Sequence, residues 1–197
     1  MPIAINGSGT VTGISVGGLP DGIVDTDMIA ANAVTAPKRG AGAILQVLET
    51  TRLDASSHTI NAGSDFNPGF LRQSITTTGS NRVIIEGFLT CSLDVGTNWI
   101  GITLRRDSSD ITASVGVASG SKRRASSAGF NHDDENMTSI PFTFTDSPGA
   151  GTHEYHLQIT HGSGGNRTLY INRSENDPNS SSGCRTGSII RCMEVAA

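Results

Sequence analysis

From residue 42 onward, apolar side chains recur at every second position, the period of a β-strand with one buried face. In VIIEGFLTCSLDV, residues 83–95, the odd positions are Val83, Ile85, Gly87, Leu89, Cys91, Leu93 and Val95, while Glu86, Thr90, Ser92 and Asp94 alternate with them. The same spacing groups Ile100, Ile102 and Leu104; then Ile140, Phe142 and Phe144; then Tyr155, Leu157 and Ile159; then Leu169 and Ile171. In the closing SIIRCMEVAA it groups Ile189, Met193 and Val195, with Arg191 interrupting. Between these runs, Asp94–Asn98, Asp107–Asp110, Asp146–Thr152 and Gly162–Arg167 are clusters of turn-forming residues. Ser174–Gly183 reads as a loop that returns the chain to its last strand. Eight or more strands with short links predict an all-β fold over residues 42–197, an antiparallel β-sandwich of the jelly-roll kind.

Residues 1–40 follow another rule. They are rich in Gly and hold no Phe, Trp or Tyr. Such a segment cannot bury enough apolar area to offset its own ordering entropy, so it is expected to dock on other copies of itself or on a larger structure. One short helix is predicted over Asp25–Ala36. Asp25 or Thr26 caps it, Met28, Ile29, Ala33 and Val34 give it a thin apolar stripe, and Pro37 ends it. At about three turns it is marginal alone. Gly18, Leu19, Pro20, Asp21 and Gly22 form the turn that positions it. The chain therefore reads as an extended anchoring and trimerising segment, 1–40, followed by a head domain, 42–197.

Composition narrows the partners. Net charge is −4, and charged residues make up only 16%. Nucleic acid is not expected as a partner, and the one dense basic cluster, Lys122, Arg123 and Arg124, reads first as a solvated loop. No apolar run approaches the roughly 20 residues of a membrane span. The N-terminus shows no basic start followed by an apolar stretch, so no secretory signal is expected. Three cysteines without a CxxC pair argue against a disulfide framework or a zinc site; Cys91 reads as a buried strand residue, and Cys184 could meet Cys192 only if the intervening chain folds back.

Catalytic signatures are weak. Gly13–Gly17 matches GxSxG around Ser15, yet it lacks the strand before and the helix after that a nucleophile elbow requires. Ser119–Lys122 matches SxxK, a common chance pattern in a Ser-rich chain, and GSGTVTG lacks the Lys of a phosphate loop. His153 and His156 are an odd interval apart on a strand and point to opposite faces. The acidic run His132, Asp133, Asp134 and Glu135 could hold a cation, but a solvated loop is the simpler reading. A polysaccharide-cleaving site would need two carboxylates about 5–10 Å apart across a groove, and this run has no convincing partner. Asn136, Asn166 and Asn172 open glycosylation-like triplets, which mean little without a leader. No catalytic residue, metal or cofactor is expected.

Gly18-Leu19-Pro20-Asp21-Gly22, Val24-Asp25-Thr26-Asp27-Met28 and Ala33-Val34-Thr35 resemble the opening of short tail-fibre-like virion proteins of tailed phages, especially marine ones. Tyr170–Arg173 and the closing Ser188–Ala197 resemble the last strands of such proteins. The resemblance implies a head similar to the trimeric jelly roll of the tumour-necrosis-factor and complement type, mounted on capsid or tail. The chain has no long repeat-built shaft, and forty extended residues reach at most about 130 Å, so a short appendage is expected. The leading expectation is a non-enzymatic, homotrimeric fibre or spike. It would be anchored to other virion proteins by its N-terminus and would display its head to a host-surface glycan. A capsid decoration protein, a polysaccharide-degrading enzyme and a soluble lectin are the rivals. Phe88 and Ile190 are expected to be partly covered by neighbouring copies. Lys122, Arg123, Arg124, His132, Asp133, Asp134, Asn176 and Asp177 are the candidate receptor-binding residues, on the polar loops 120–135 and 174–185. Trp99, Tyr155 and Tyr170 are the aromatic rings available for stacking.

Overall fold

A computed structural model describes residues 33–35, 38–133, 136–181 and 183–197. The compact unit spans Ala41–Ala197. Its strands are β1 (Ile44–Arg52), β2 (Ser56–Ile60), β3 (Arg72–Thr77), β4 (Arg82–Leu93), β5 (Asn98–Arg106), β6 (Ser109–Asp110), β7 (Ser127–Asn131), β8 (Thr138–Asp146), β9 (Gly151–His161), β10 (Arg167–Ile171) and β11 (Ser188–Val195). Among the described residues there is no α-helix. Of the predicted helix Asp25–Ala36, only 33–35 are described, and they are irregular. The anchor positions Gly18, Leu19, Pro20, Asp21, Gly22, Asp25, Met28 and Ile29 lie outside the described residues, while Val34 is exposed.

Strand register gives the topology. β4 carries β8 along one edge, from Val83 to Cys91. Its other edge is shared: β11 pairs with Arg82–Phe88 and β10 with Cys91–Leu93. β10 and β11 are therefore one row of the sheet, interrupted by the excursion 172–187. β1 and β2 lie beside them as a second interrupted row, broken at Leu53–Ala55. The first sheet is thus β1/β2, β10/β11, β4, β8. The second is β3, β9, β5, β7, with the two-residue β6 also on β5. Taken as eight rows in chain order, the sheets run 1-8-3-6 and 2-7-4-5, which is jelly-roll connectivity.

The core between the sheets is built by the alternation read from the sequence. Ile85, Leu89, Leu93, Ile100, Ile102 and Leu157 are fully buried there. β11 corrects one detail. Ile190 and Cys192 point into the core, and Ile189, Arg191 and Met193 take the outer face, so Ile190 is not available to a neighbouring copy. Gly87 is required where the β4 chain passes β11: a Cβ there would lie 2.0 Å from the Ile189 carbonyl oxygen and 2.8 Å from the Phe142 ring. Cys91 and Cys192 are both in the core, where burial pushes their thiols up to about 12. Cys184 is exposed, and all three thiols are free, so Cys184 and Cys192 do not pair.

Three buried polar side chains hold the rows together. Asn172 sits where both interrupted rows break. Its Nδ2 donates to the carbonyls of Arg52 and Asp54, each at 3.0 Å, and its Oδ1 accepts from Ser188 Oγ at 2.7 Å. Its backbone N–H reaches the Thr90 carbonyl, with φ at 59°, a left-handed angle that Asn tolerates. This burial corrects the glycosylation-like reading of Asn172. At one end of the sandwich, Asn131 donates to the carbonyls of Val95, Leu93 and Asp133 and accepts from the Leu93 N–H. At the other end, Glu194 accepts from Thr78 N–H at 2.9 Å, Asn81 Nδ2 at 2.8 Å and Gln46 Nε2 at 2.6 Å.

The strand ends sort the loops. Loops 61–71, 94–97 and 162–166 and residues 132–133 and 136–137 lie at the Asn131 end. Loops 78–81 and 147–150 lie at the Glu194 end, where Gly42 N–H donates to Ala196 and Ala196 N–H to Ala43 as the chain enters the head.

Asn172→Ala removes a fully buried amide and its three hydrogen bonds and is expected to cost about 3 kcal/mol in urea unfolding; a loss under about 1 kcal/mol would contradict this role. Glu194 titrates below its ordinary 4.5: desolvation by burial raises it, and the hydrogen bonds from Asn81, Thr78 and Gln46 outweigh that. A depressed carboxyl stabilises the fold above its unfolded value and loses that contribution as pH falls through the folded one. Stability is therefore expected to drop on acidification below 4.5, and Glu194→Gln is expected to flatten that part of the pH profile.

Candidate functional site

The predicted receptor residues do not form one site. Those that are described fall on three separate surfaces.

Lys122, Arg123 and Arg124 belong to the connection between β5 and β7, which crosses the outer face of the second sheet. Lys122 lies in an exposed turn closed by its N–H on the Ser119 carbonyl, so the SxxK pattern is a surface turn. Arg123 ties this connection to the 61–71 loop. Its guanidinium meets Asp65 Oδ1 at 2.7 Å, Thr160 Oγ1 at 2.9 Å and the Gly63 carbonyl. Beside it a cavity of about 180 Å³ opens over Thr103, Gln158 and Thr160, with Asp110 and Arg124 at its rim. Further along the same face, His156 is buried between Arg72, Arg105 and Glu154. Desolvation and the two cations hold its ring below the usual histidine range. His153 takes the opposite side of β9, as its spacing required, and its Nδ1 lies 3.2 Å from Asp107.

His132 and Asp133 are at the Asn131 end. The His132 ring packs edge-on against Phe130, with centroids 5.1 Å apart. Asp133 Oδ1 is spent on Asn136, accepting from its backbone N–H and its side-chain amide. Asp134 lies outside the described residues. Among the described residues no cluster of three or more His, Cys, Asp or Glu side chains is arranged to hold a metal ion.

Asn176 and Asp177 are on the excursion 172–187. Asp177 pairs with Arg185 and, at 3.5 Å, with Arg173, whose guanidinium lies 4.4 Å over the Tyr170 ring. A surface cavity of about 380 Å³ is enclosed by Asp177, Pro178, Asn179 and Arg185. The aromatic inventory shrinks accordingly. Tyr155 is fully buried with its hydroxyl donating to Asp146, Tyr170 is capped by Arg173, and Trp99 packs on Gly162, where a Cβ would lie 2.2 Å from the indole nitrogen.

A fourth surface went unrecognised as a unit in the sequence. The outer face of the first sheet carries three cross-strand rows: Val47, Met193 and Ile84; Glu49, Arg191 and Glu86; Ile189, Phe88 and Pro141. Arg191 bridges both carboxylates, at 3.0 and 3.1 Å. Val47 is 50% exposed and Phe88 40%. A groove of about 630 Å³ runs beside Phe88, Pro141 and Ile189. The signal was present in the sequence as the second apolar set of β4 and β11, Ile84 and Phe88 with Ile189 and Met193.

No protein-family model matches the chain, and no curated protein does. Similar solved structures come from infectious bursal disease virus. The structure of its Gx strain is 13% identical, with a TM-score of 0.40, covering 80% of this chain and 39% of that one. The VP2 subviral particle is 13% identical, with a TM-score of 0.41 and coverages of 77% and 37%. The Gt strain is 15% identical, with a TM-score of 0.37 and coverages of 77% and 38%. The chain spans less than two fifths of the length of each.

Arg123→Ala is expected to leave global stability within about 1 kcal/mol, since its ion pair is partly solvated. It is also expected to speed proteolytic cleavage within 107–126, because the anchor of that connection is gone. Unchanged cleavage would show that the connection is held by other contacts.

Proposed function

We propose that this chain is a non-enzymatic virion structural protein, a short trimeric fibre or spike that its N-terminal segment fixes to the particle and that displays its jelly-roll head to the host surface. The observation that carries this reading is the polarity of the head. The chain enters at Gly42, beside Ala196, and loops 61–71, 94–97 and 162–166, with residues 132–133, all lie at the opposite end. A head tethered at its entry point presents those loops outward, and loops on a rigid β scaffold are where recognition residues concentrate. The resemblance of the N-terminal and C-terminal segments to short tail-fibre-like phage proteins points the same way.

The outer face of the first sheet supports the trimer. Phe88 and Val47 are exposed there, with Ile189 and Met193 half-buried beside them and one arginine compensated by two carboxylates, a face that neighbouring copies can cover. Three copies that cover it also gain avidity for their three N-terminal segments. Capsid decoration is the second reading, favoured by the same face: there it lies on the shell instead of on sister copies.

Light scattering on the full chain tests the assembly. The expected mass is three chains of 20.4 kDa each, and Phe88→Lys is expected to release monomers with an unchanged circular dichroism spectrum. A wild-type chain that stays monomeric at micromolar concentration would overturn the trimer and leave decoration as the better account.

A further inference from the structure

The connection from β5 to β7 folds back onto the second sheet instead of looping into solvent. Ser126 N–H donates to the Ile102 carbonyl at 2.7 Å, and Gly116 N–H to the Ala125 carbonyl at 3.2 Å. Gly101 permits this close approach: a Cβ there would lie 3.1 Å from Thr160 Cγ2 and 3.3 Å from Ala125 Cβ. The cavity of about 180 Å³ is what remains between the sheet and this covering segment.

Charge bookkeeping around the cavity gives the ligand class. Asp65 is neutralised by Arg123 at 2.7 Å, and Asp110 by Arg105 at 2.9 Å. Arg123 is further committed to Thr160 and Gly63. Arg124 lines the same cavity and makes no hydrogen bond or ion pair among the described residues. The site therefore holds one uncompensated, forked cation above a floor of neutral hydroxyl and amide groups, Thr103, Gln158 and Thr160, with Val115 as an aliphatic wall. A divalent cation does not suit it, since both carboxylates are already paired. A bare inorganic anion would leave the neutral donors and the aliphatic wall without a partner. The volume is below the roughly 300 Å³ at which pockets for drug-sized ligands begin, which suits one ring and not a chain of them.

We propose that this cavity binds a single carboxylate-bearing sugar residue of a surface polysaccharide. Arg124 takes the carboxylate through its two-pronged donor geometry, the Thr and Gln side chains take ring hydroxyls, and Val115 covers an apolar ring edge. This assignment rests on the reading of the head as a displayed, host-facing domain and names what that head recognises.

The test is saturation-transfer NMR on the full-length chain with methyl galacturonide and methyl galactoside as probes. The galacturonide is expected to bind at least about tenfold better, as a charge-assisted bidentate contact requires. Arg124→Gln is expected to erase that preference, and Arg82→Gln, exposed on β4 of the other sheet, to retain it. Equal transfer to both sugars, no transfer to the galacturonide, or a preference that survives Arg124→Gln would each overturn the assignment. Incorporation into particles is scored separately. Absent galacturonide binding with normal incorporation overturns the sugar site alone, whereas chains that never join particles overturn the structural role.

Discussion

Two rows of one sheet break at the same level, and a single buried amide closes the gap. Where β1 gives way to β2 and β10 gives way to the excursion before β11, the ladder stops, and the carbonyls of Arg52 and Asp54 turn toward a fully buried side chain. Buried backbone groups without partners cost as much as a lost hydrogen bond each. Asn172 answers them with its two amide hydrogens, on Arg52 and Asp54, while its Oδ1 receives Ser188. Ser188 Oγ in turn accepts from Thr90 N–H at 3.0 Å, so the repair reaches the central strand β4. The excursion 172–187 can leave and re-enter the sheet without unpairing its neighbours, and the outer face keeps its three unbroken rows.

The ends of the sandwich use the same device. Asn131 draws Val95 and Asp133 onto the last residues of β4, and Glu194 draws the 78–81 turn onto β11. Asp146 adds a third tie near the Glu194 end, receiving Tyr155 OH at 2.8 Å and Arg106 at 2.5 Å. Both ends of the sandwich are thus tied by buried side chains.

Much of the strand framework was legible because alternation survives wherever one face of a strand is wet. β4, β5, β8, β9 and β10 were readable in this way. β11 shows where that reasoning stops. As an inner strand whose outer face is also apolar, it carries Ile189 and Met193 on one side and Ile190 and Cys192 on the other, and periodicity alone does not say which set is core. The polar β2 and the small-residue β7 carry too little apolar signal to mark them. Asn172 opened only a glycosylation-like triplet in the sequence, and Asn131 and Glu194 carried no signal there, because their burial follows from where the folded rows break and end. The candidate recognition residues scatter because the basic run at 122–124 lies on the connection that crosses the outer face of the second sheet, while His132 and Asp133 follow directly on β7 at the Asn131 end. Arg123 and Asp65, distant in the chain, meet instead.

The account stands on the direction in which the head is mounted, and cryo-electron microscopy of intact particles measures that directly. It predicts a three-fold cluster of jelly rolls with Gly42 and Ala196 turned toward the particle and loops 61–71, 94–97 and 162–166, with residues 132–133, outermost. Density in which the heads are single, or in which those loops face the particle and the entry end faces outward, would contradict it.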